Sequence, residues 1–257
     1  MLKFFYTNFP KQYGKILYLK SIIFLLPKIF FLKMGILNFF GSKSQDKWVV
    51  EEIFNFKKEG FFLDLAATNG LMENNTYVLE NYFGWKGIAI EANDIFFNKL
   101  KNNRKCTCLN IAVGEEEKEV QFLETGPTGG IVGEDYDNNF KKRADLLNKL
   151  KKKIKTKKTK TLQKILDENN SPAIIDYLSL DIEGAETDVL RNFEFNKYIF
   201  LSMTIERPTP ELNKILFDND YIFVKNFKVD SFYVHKSIKN LDTIKKEKFI
   251  QLPPKSW

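Results

Sequence analysis

Asp181, Glu183 and Glu186 crowd the end of one short stretch, Asp176–Glu186, DYLSLDIEGAE, with Gly184 among them. The apolar residues ahead of them read as a buried strand. Carboxylates packed together raise one another's pKa, which suits a general base working near neutral pH. Oxygen donors so placed also suit Mg²⁺, which would acidify a bound hydroxyl. A fourth acid, Glu206, ends the later apolar run KYIFLSMTIE. Asp181, Glu183 and Glu206 are therefore the candidate catalytic acids, and Asp181 and Glu206 the ligands if a metal is bound. Glu186, three residues after Glu183, can equally serve the N-terminus of the helix that follows.

These acids need elements to hold them. GFFLDLA from Gly60, KGIAIEAN from Lys86, CTCLNIAVG from Cys106, Ala173–Asp181 and the Lys197 run read as strands. Between them, Thr76–Phe83, a helix capped by Asn93 and running to about Lys101, TLQKILDE from Thr161 and TPELNKILFDN from Thr209 read as helices. KEVQFLE from Lys118 alternates like a further strand, and the segment from Tyr221 looks like a closing hairpin. Gln45–Lys58 is expected to be an amphipathic helix closed by Gly60. Alternating strands and helices predict a mostly parallel sheet with helices on both faces, with ligands at the carboxyl ends of its strands. Asp64, Glu91, Asp181 and Glu206 each end a predicted strand, so they should line one edge of the sheet.

The second informative stretch is DLAATNG, Asp64–Gly70, a strand followed by a turn of small residues. Glu91 lies 21 residues beyond Gly70 at the end of the next strand, a spacing that suits a carboxylate accepting from both ribose hydroxyls of an adenosine group. A dinucleotide site would want three glycines and a pyrophosphate-binding helix start, and neither is present. An adenosine ligand without a pyrophosphate, such as S-adenosylmethionine, fits better.

With these residues in place, the chain resembles the FkbM family of class I S-adenosylmethionine-dependent methyltransferases. The resemblance is carried by FFLDLAATNGLMENNTYVLENYFGWKGIAIEAN (Phe61–Asn93), LNIAVG (Leu109–Gly114), IIDYLSLDIEGAETDVL (Ile174–Leu190) and MTIERP (Met203–Pro208), and it covers roughly Phe61–His235. It implies a Rossmann-like sheet of seven strands, mostly parallel with the last antiparallel. It implies O-methylation of a sugar, glycan or related hydroxyl. Asp64, Ala66 and Gly70 would line the methionine part of the cofactor, Glu91 would hold the ribose, Asn110 and Ala112 would sit near the adenine, and Asp181 would lie beside the sulfonium. Two positions depart from the family pattern: Ala66 stands where relatives carry glycine, and Arg207 where they often carry histidine.

Composition sets the outer limits. The 257 residues, 44% hydrophobic and 28% charged, suffice for one large α/β domain. The net charge of +7 favours anionic partners, and Lys141–Lys160 carries much of it. That run reads as a solvated helix and loop face, or alternatively as a phosphate or nucleic-acid patch, although no aromatic residue is interleaved for base stacking. An RNA ribose 2′-O-methyltransferase and a non-catalytic binding protein of the same fold are the competing readings. Cys106 and Cys108 are too few for a zinc site and point to reduced thiols in a cytoplasmic protein. His235, the one histidine, follows no nucleophile elbow and is expected to be structural. Residues 1–44 form an apolar and basic helical segment, 45–240 the methyltransferase-like domain, and 241–257 a basic tail expected to be poorly held. Within the first segment, Ile16–Leu32 is very apolar but interrupted by Lys20, Pro27 and Lys28. Residues 14–33 either pack on the domain or lie on a membrane surface.

Overall fold

The computed structural model describes residues 38–255, so the Ile16–Leu32 segment lies outside the described residues. Among the described residues no helix is long and apolar enough to cross a membrane.

Strands rich in consecutive apolar residues build a sheet buried on both faces. In chain order they are β1 (Phe61–Leu65), β2 (Lys86–Ile90), β3 (Thr107–Leu109), β8 (Ile174–Leu180), β9 (Ile199–Glu206), β10 (Tyr221–Phe227) and β11 (Asp230–His235). They lie in the order β10-β11-β9-β8-β1-β2-β3. The pairs from β3 to β9 are parallel, and β11 runs antiparallel to both of its neighbours. This is the class I methyltransferase sheet expected from the sequence. Side chains alternate across it: Leu63 and Leu65 enter the main core with Leu178, Leu180, Met203 and Ile205, which leaves Asp64 and Ala66 on the other face.

Short helices link the strands: α1 (Gln45–Lys47, continued as a π-turn over Trp48–Ile53), α2 (Tyr77–Phe83), α3 (Asp94–Asn103), α4 (Phe140–Lys149), α5 (Leu162–Glu168), α6 (Glu186–Arg191) and α7 (Pro210–Asp218). Their starts follow the sequence signals. The Asn93 side chain accepts from the amides of Ile95 and Phe96, Thr161 from Lys164 and Thr209 from Leu212. Gly84 closes α2 at φ 70°. The first helix differs from expectation. It stops at Ile53 rather than Lys58, because Asn55 and Phe56 turn left-handed at φ 42° and 61°. Gly60 serves packing instead, since an added Cβ would come within 2.5 Å of the Trp85 ring.

The Lys141–Lys160 run also departs from its expected helix and loop. After α4, residues Ile154–Lys160 form β7, the second strand of a four-stranded sheet ordered β4-β7-β5-β6, with β4 (Ala112–Val113), β5 (Glu119–Leu123) and β6 (Gly130–Ile131). The run IKTKKTK has little apolar content, and its pairing with β5 supplies the order that lysine charge alone would not. Residues 241–255, expected to be loosely held, are laid along the domain. The Phe249 ring meets Phe217 and Phe223 edge-on at 5.2 Å each, and Glu247 N donates to Val224 O.

Register then aligns the site. Leu65 pairs with Ile90 and Leu180, and Leu180 with Ile205. The next residues along these four strands are Glu206, Asp181, Ala66 and Glu91, which therefore form one row across the carboxyl edge. Asp230 pairs with Glu206 and extends it. Asp64 is not in that row. It pairs with Ala89 and Ser179, two residues below Ala66 on the same face.

Candidate active site

The row opens into two adjoining clefts. The first, with about 590 Å³ of empty space, lies over β1, β2 and β4, walled by Phe96, Ile111, Phe122 and Ile131, with Ala112 and Glu91 beside them. Such apolar walls suit an adenine ring. The Glu91 carboxyl is buried at one end. Its Oε2 accepts from Thr68 N at 2.9 Å and its Oε1 from Asn93 N at 2.7 Å, and burial pushes its pKa up to about 7 against those two hydrogen bonds. Each oxygen keeps a lone pair for a ribose hydroxyl.

A Gly-rich segment roofs this cleft with Gly126, Pro127, Gly129 and Gly130. It is tied down at its start. Lys155 and Lys157 of β7 grip Glu124 at 2.6 and 2.8 Å, and Asn93 Nδ2 donates to Thr125 O. The lysine-rich strand thus serves the roof.

The expected cofactor residues separate into those facing the clefts and those supporting them. Ala66 and Glu91 line the first cleft, as does Ala112. Asn110 spends its amide on the main-chain carbonyls of Glu91 and Ala92, at 2.9 and 3.3 Å, and so fixes the end of β2. Asp64 borders the second cleft, its carboxylate accepting from Asn74 Nδ2 at 2.9 Å and Thr76 Oγ1 at 2.7 Å. Arg104, wholly buried, braces the same Asn74 and Thr76. Gly70 lines neither cleft. At φ 77° it passes under α3, where a Cβ would meet Arg104 Cγ and Leu100 Cδ1 at 2.7 Å.

Ala66 explains the family's glycine. It sits at φ 64°, the left-handed region, where a Cβ costs roughly 1–2 kcal/mol. Ala66→Gly is therefore expected to stabilise the protein by about 1 kcal/mol, reduced in part by the greater freedom of glycine in the unfolded chain. Urea unfolding of the two proteins checks this, and equal or lower stability in the variant would refute the strain.

The second cleft, about 840 Å³, carries the acids. Asp181 and Glu206 share a hydrogen bond, and the side chain of Asp181 is 39% exposed. Burial pushes the Glu206 pKa up to about 7, and the Asp181 charge adds to this while Lys43 and Arg207 oppose it. Lys43 Nζ stands 2.8 Å from Asp230, 3.7 Å from Asp181 and 3.9 Å from Glu206. Arg207 Nη1 donates to Glu206 Oε1 at 2.6 Å, so the residue in the histidine position steadies the acid next to it. Glu183 is buried under Lys255, whose Nζ lies 2.7 Å from both Glu183 and Asp137. Glu186 takes the structural role open to it: its Oε1 accepts from the Ile182 and Gly184 amides, and burial pushes its pKa up to about 8.

Asp137, Glu183 and Glu206, and separately Asp181, Glu186 and Glu206, bring carboxylate oxygens within 4.8 Å of one another. Neither group fits Mg²⁺ well, because Lys43, Arg207 and Lys255 already neutralise these acids and Glu186 is held by amides.

Lys43, Lys255 and Asp230 gave no sequence signal. The lysines stand in polar, loop-like surroundings, and Asp230 gains its role only by its register with Glu206. His235 is structural, as expected, with Nδ1 2.7 Å from Ser237 Oγ and its ring against Tyr221. Cys106 and Cys108 are free.

No curated protein matches the chain. Among solved structures it is similar to the methyltransferase FkbM from Methylobacillus flagellatus KT, at 16% identity and a TM-score of 0.43, over 70% of this chain and 44% of that one. The chain therefore spans less than half the length of that relative. It is similar to M. capricolum TrmK in complex with S-adenosyl-homocysteine at 10% identity and a TM-score of 0.40, over 82% of this chain and 76% of that one. A third likeness, to precorrin-6y C5,15-methyltransferase from Geobacter metallireducens GS-15, has 9% identity and a TM-score of 0.40 over 74% and 85%. The methyltransferase FkbM domain matches residues 64–223, a span that holds the DLAATNG and DYLSLDIEGAE stretches, the roof of the first cleft and every acid of the row except Asp230. By that match this chain belongs to the FkbM family of S-adenosylmethionine-dependent methyltransferases.

Proposed function

We propose that the protein methylates a hydroxyl oxygen of a sugar, glycan or related small molecule. The observation that carries this reading is the Asp181–Glu206 carboxyl pair on the same row as the Glu91 cleft, in which burial and the neighbouring Asp181 raise the Glu206 pKa to about 7. S-adenosylmethionine bound there supplies an electrophilic methyl group on a sulfonium. A sugar hydroxyl is a weak nucleophile, so the protein must align it and take its proton. Glu91 and the apolar walls orient the adenosine end, and Asp64 and Asp181 flank the other end. Once ionised, a form that Lys43 and Arg207 favour, Glu206 accepts the hydroxyl proton at Oε1 or Oε2 as the methyl passes to the oxygen and the neutral thioether leaves.

The distribution of charge favours a small hydroxylated acceptor over RNA. Phosphodiesters would meet the carboxylates of the second cleft, and Lys155 and Lys157 are engaged by Glu124 and Asp94 rather than offered to a backbone. Because lysines and an arginine neutralise the acids, proton transfer proceeds without Mg²⁺ in this reading. The test is transfer from methyl-labelled S-adenosylmethionine to a panel of methyl glycosides and to short RNA, with and without EDTA. Label on a glycoside oxygen at a rate unchanged by EDTA is expected. Label on RNA alone, or loss of transfer with EDTA restored by Mg²⁺, would overturn the respective part.

A further inference from the structure

A third cavity, of about 970 Å³, lies beyond the carboxyl pair and has Glu206 in its wall. Glu206 also borders the second cleft and is the one described residue that lines both spaces. Around the cavity stand the turn after β9, with Arg207, Pro208 and Thr209, the segment Asp135–Asp137, and the last described residues of the chain, Gln251–Lys255.

The terminal strap is fastened at specific points. Phe249 is wedged between Phe217 and Phe223. Asn226 Nδ2 donates to Ile250 O at 2.8 Å. Gln251 Nε2 donates to Pro208 O at 2.8 Å, and Gln251 Oε1 accepts from Asn213 Nδ2 at 2.9 Å. At the far end Lys255 bridges Asp137 and Glu183 at 2.7 Å each. Lys255 thereby joins the strap to the turn that bears Asp181. None of the strap falls within residues 64–223, so the family match does not account for it.

We propose that Gln251–Lys255 form one wall of the acceptor subsite, and that this subsite takes an uncharged, polyhydroxylated ring. The proposal rests on the methyl-transfer reading and places its acceptor. Geometry supports the location: Glu206 borders both this cavity and the second cleft, so an acceptor lodged here can present a hydroxyl to that carboxyl at the boundary with the cofactor clefts. Chemistry supports the class. The walls carry Lys142, Arg207 and Lys255 against Asp135, Asp137, Glu186 and Glu206, and burial raises the pKa of Glu186 to about 8 and of Glu206 to about 7, so neither sign is in large excess. A polyanion would meet the aspartates, and a polycation would meet the three basic groups. Between them, Tyr136, Leu252 and the prolines at 208, 210 and 254 offer apolar surface beside donors and acceptors, the mixture that suits the two faces and rim of a sugar ring.

The experiment is saturation-transfer NMR on the full chain saturated with S-adenosylhomocysteine. The probes are the methyl glycosides of glucose, galactose and rhamnose, with glucuronic acid and glucosamine as charged controls. An uncharged glycoside is expected to bind, and more tightly than either charged control. The double variant Gln251→Ala/Lys255→Ala should weaken that binding at least tenfold while S-adenosylhomocysteine affinity changes less than threefold. Leu252→Trp, which fills the cavity without cutting the strap's fastenings, should do the same. Glycoside binding unchanged in both variants overturns the location. Preference for a charged control, or no glycoside binding in a protein that still binds S-adenosylhomocysteine, overturns the class. A chain that binds no S-adenosylhomocysteine at all refutes instead the methyl-transfer reading beneath it.

Discussion

Replacing Glu91 by alanine is expected to weaken S-adenosylmethionine binding at least about 100-fold. Two ribose hydroxyls donating to one carboxylate make charge-assisted bonds of roughly 1.5–3 kcal/mol each. Losing both corresponds to about 3–6 kcal/mol, or two to four powers of ten in affinity. The protein's own geometry adds to the loss, because Glu91 also receives the amides of Thr68 and Asn93, which hold the turn after β1 and the start of α3 against the cleft. Glu91→Gln keeps one acceptor oxygen and should lose only about tenfold. The pKa near 7 gives a second signature. The carboxylate is the form that accepts two bonds, so affinity should fall as pH drops from 8 through 7 in the natural protein and stay flat in the Gln variant. Calorimetric titration at pH 6 and pH 8, with a thermal melt of each variant, checks this. Binding of the alanine variant within threefold of the natural protein would remove Glu91 from the cofactor site.

That expectation could be framed from the sequence because parallel strands report themselves. FFLDL, KGIAI and IIDYLSL are continuous apolar runs with a functional group at the end, so strand identity, direction and the carboxyl edge were all legible. What the sequence could not convey was height along the edge. Asp64 ends a predicted strand just as Glu91 does, yet register sets it two residues lower, and it props Asn74 and Thr76 beneath the clefts. Gly70 illustrates the same limit. Its left-handed turn was readable, whereas its burial under Arg104 and Leu100 depends on a helix 30 residues away in sequence. β7 was missed for another reason: a strand made mostly of Lys and Thr lacks apolar periodicity, and only pairing with β5 and contact with Glu124 give it a place. The counter-charges Lys43 and Lys255 arrive from opposite flanks of the family domain, and no local pattern marks a lysine as one that will cross to a distant carboxylate.

Those counter-charges frame the second large effect. Glu206→Gln is expected to lower kcat by about two to four powers of ten on the best acceptor, the range for loss of a positioned general base. Its effect on cofactor affinity should be small, because Glu206 ends β9, three strands from the β2 end that carries Glu91, and lines the second cleft and the third cavity but not the first. Asp181→Asn should cost a similar factor in kcat and also weaken cofactor binding, since Asp181 sits beside Ala66 in the row. The pH profile distinguishes a base from a structural acid. Glu206 works when ionised and its pKa is near 7, so the rate should rise about tenfold per pH unit below 7 and level off above it. Lys43 opposes the elevation of that pKa. Lys43→Ala should therefore shift the midpoint of the profile upward while leaving the plateau rate within about fivefold, whereas Lys43→Arg should restore the midpoint. A profile in Lys43→Ala that keeps its midpoint near 7 would show that neither carboxyl of the pair is the group titrating, because Lys43 stands 3.7 Å from Asp181 as well as 3.9 Å from Glu206.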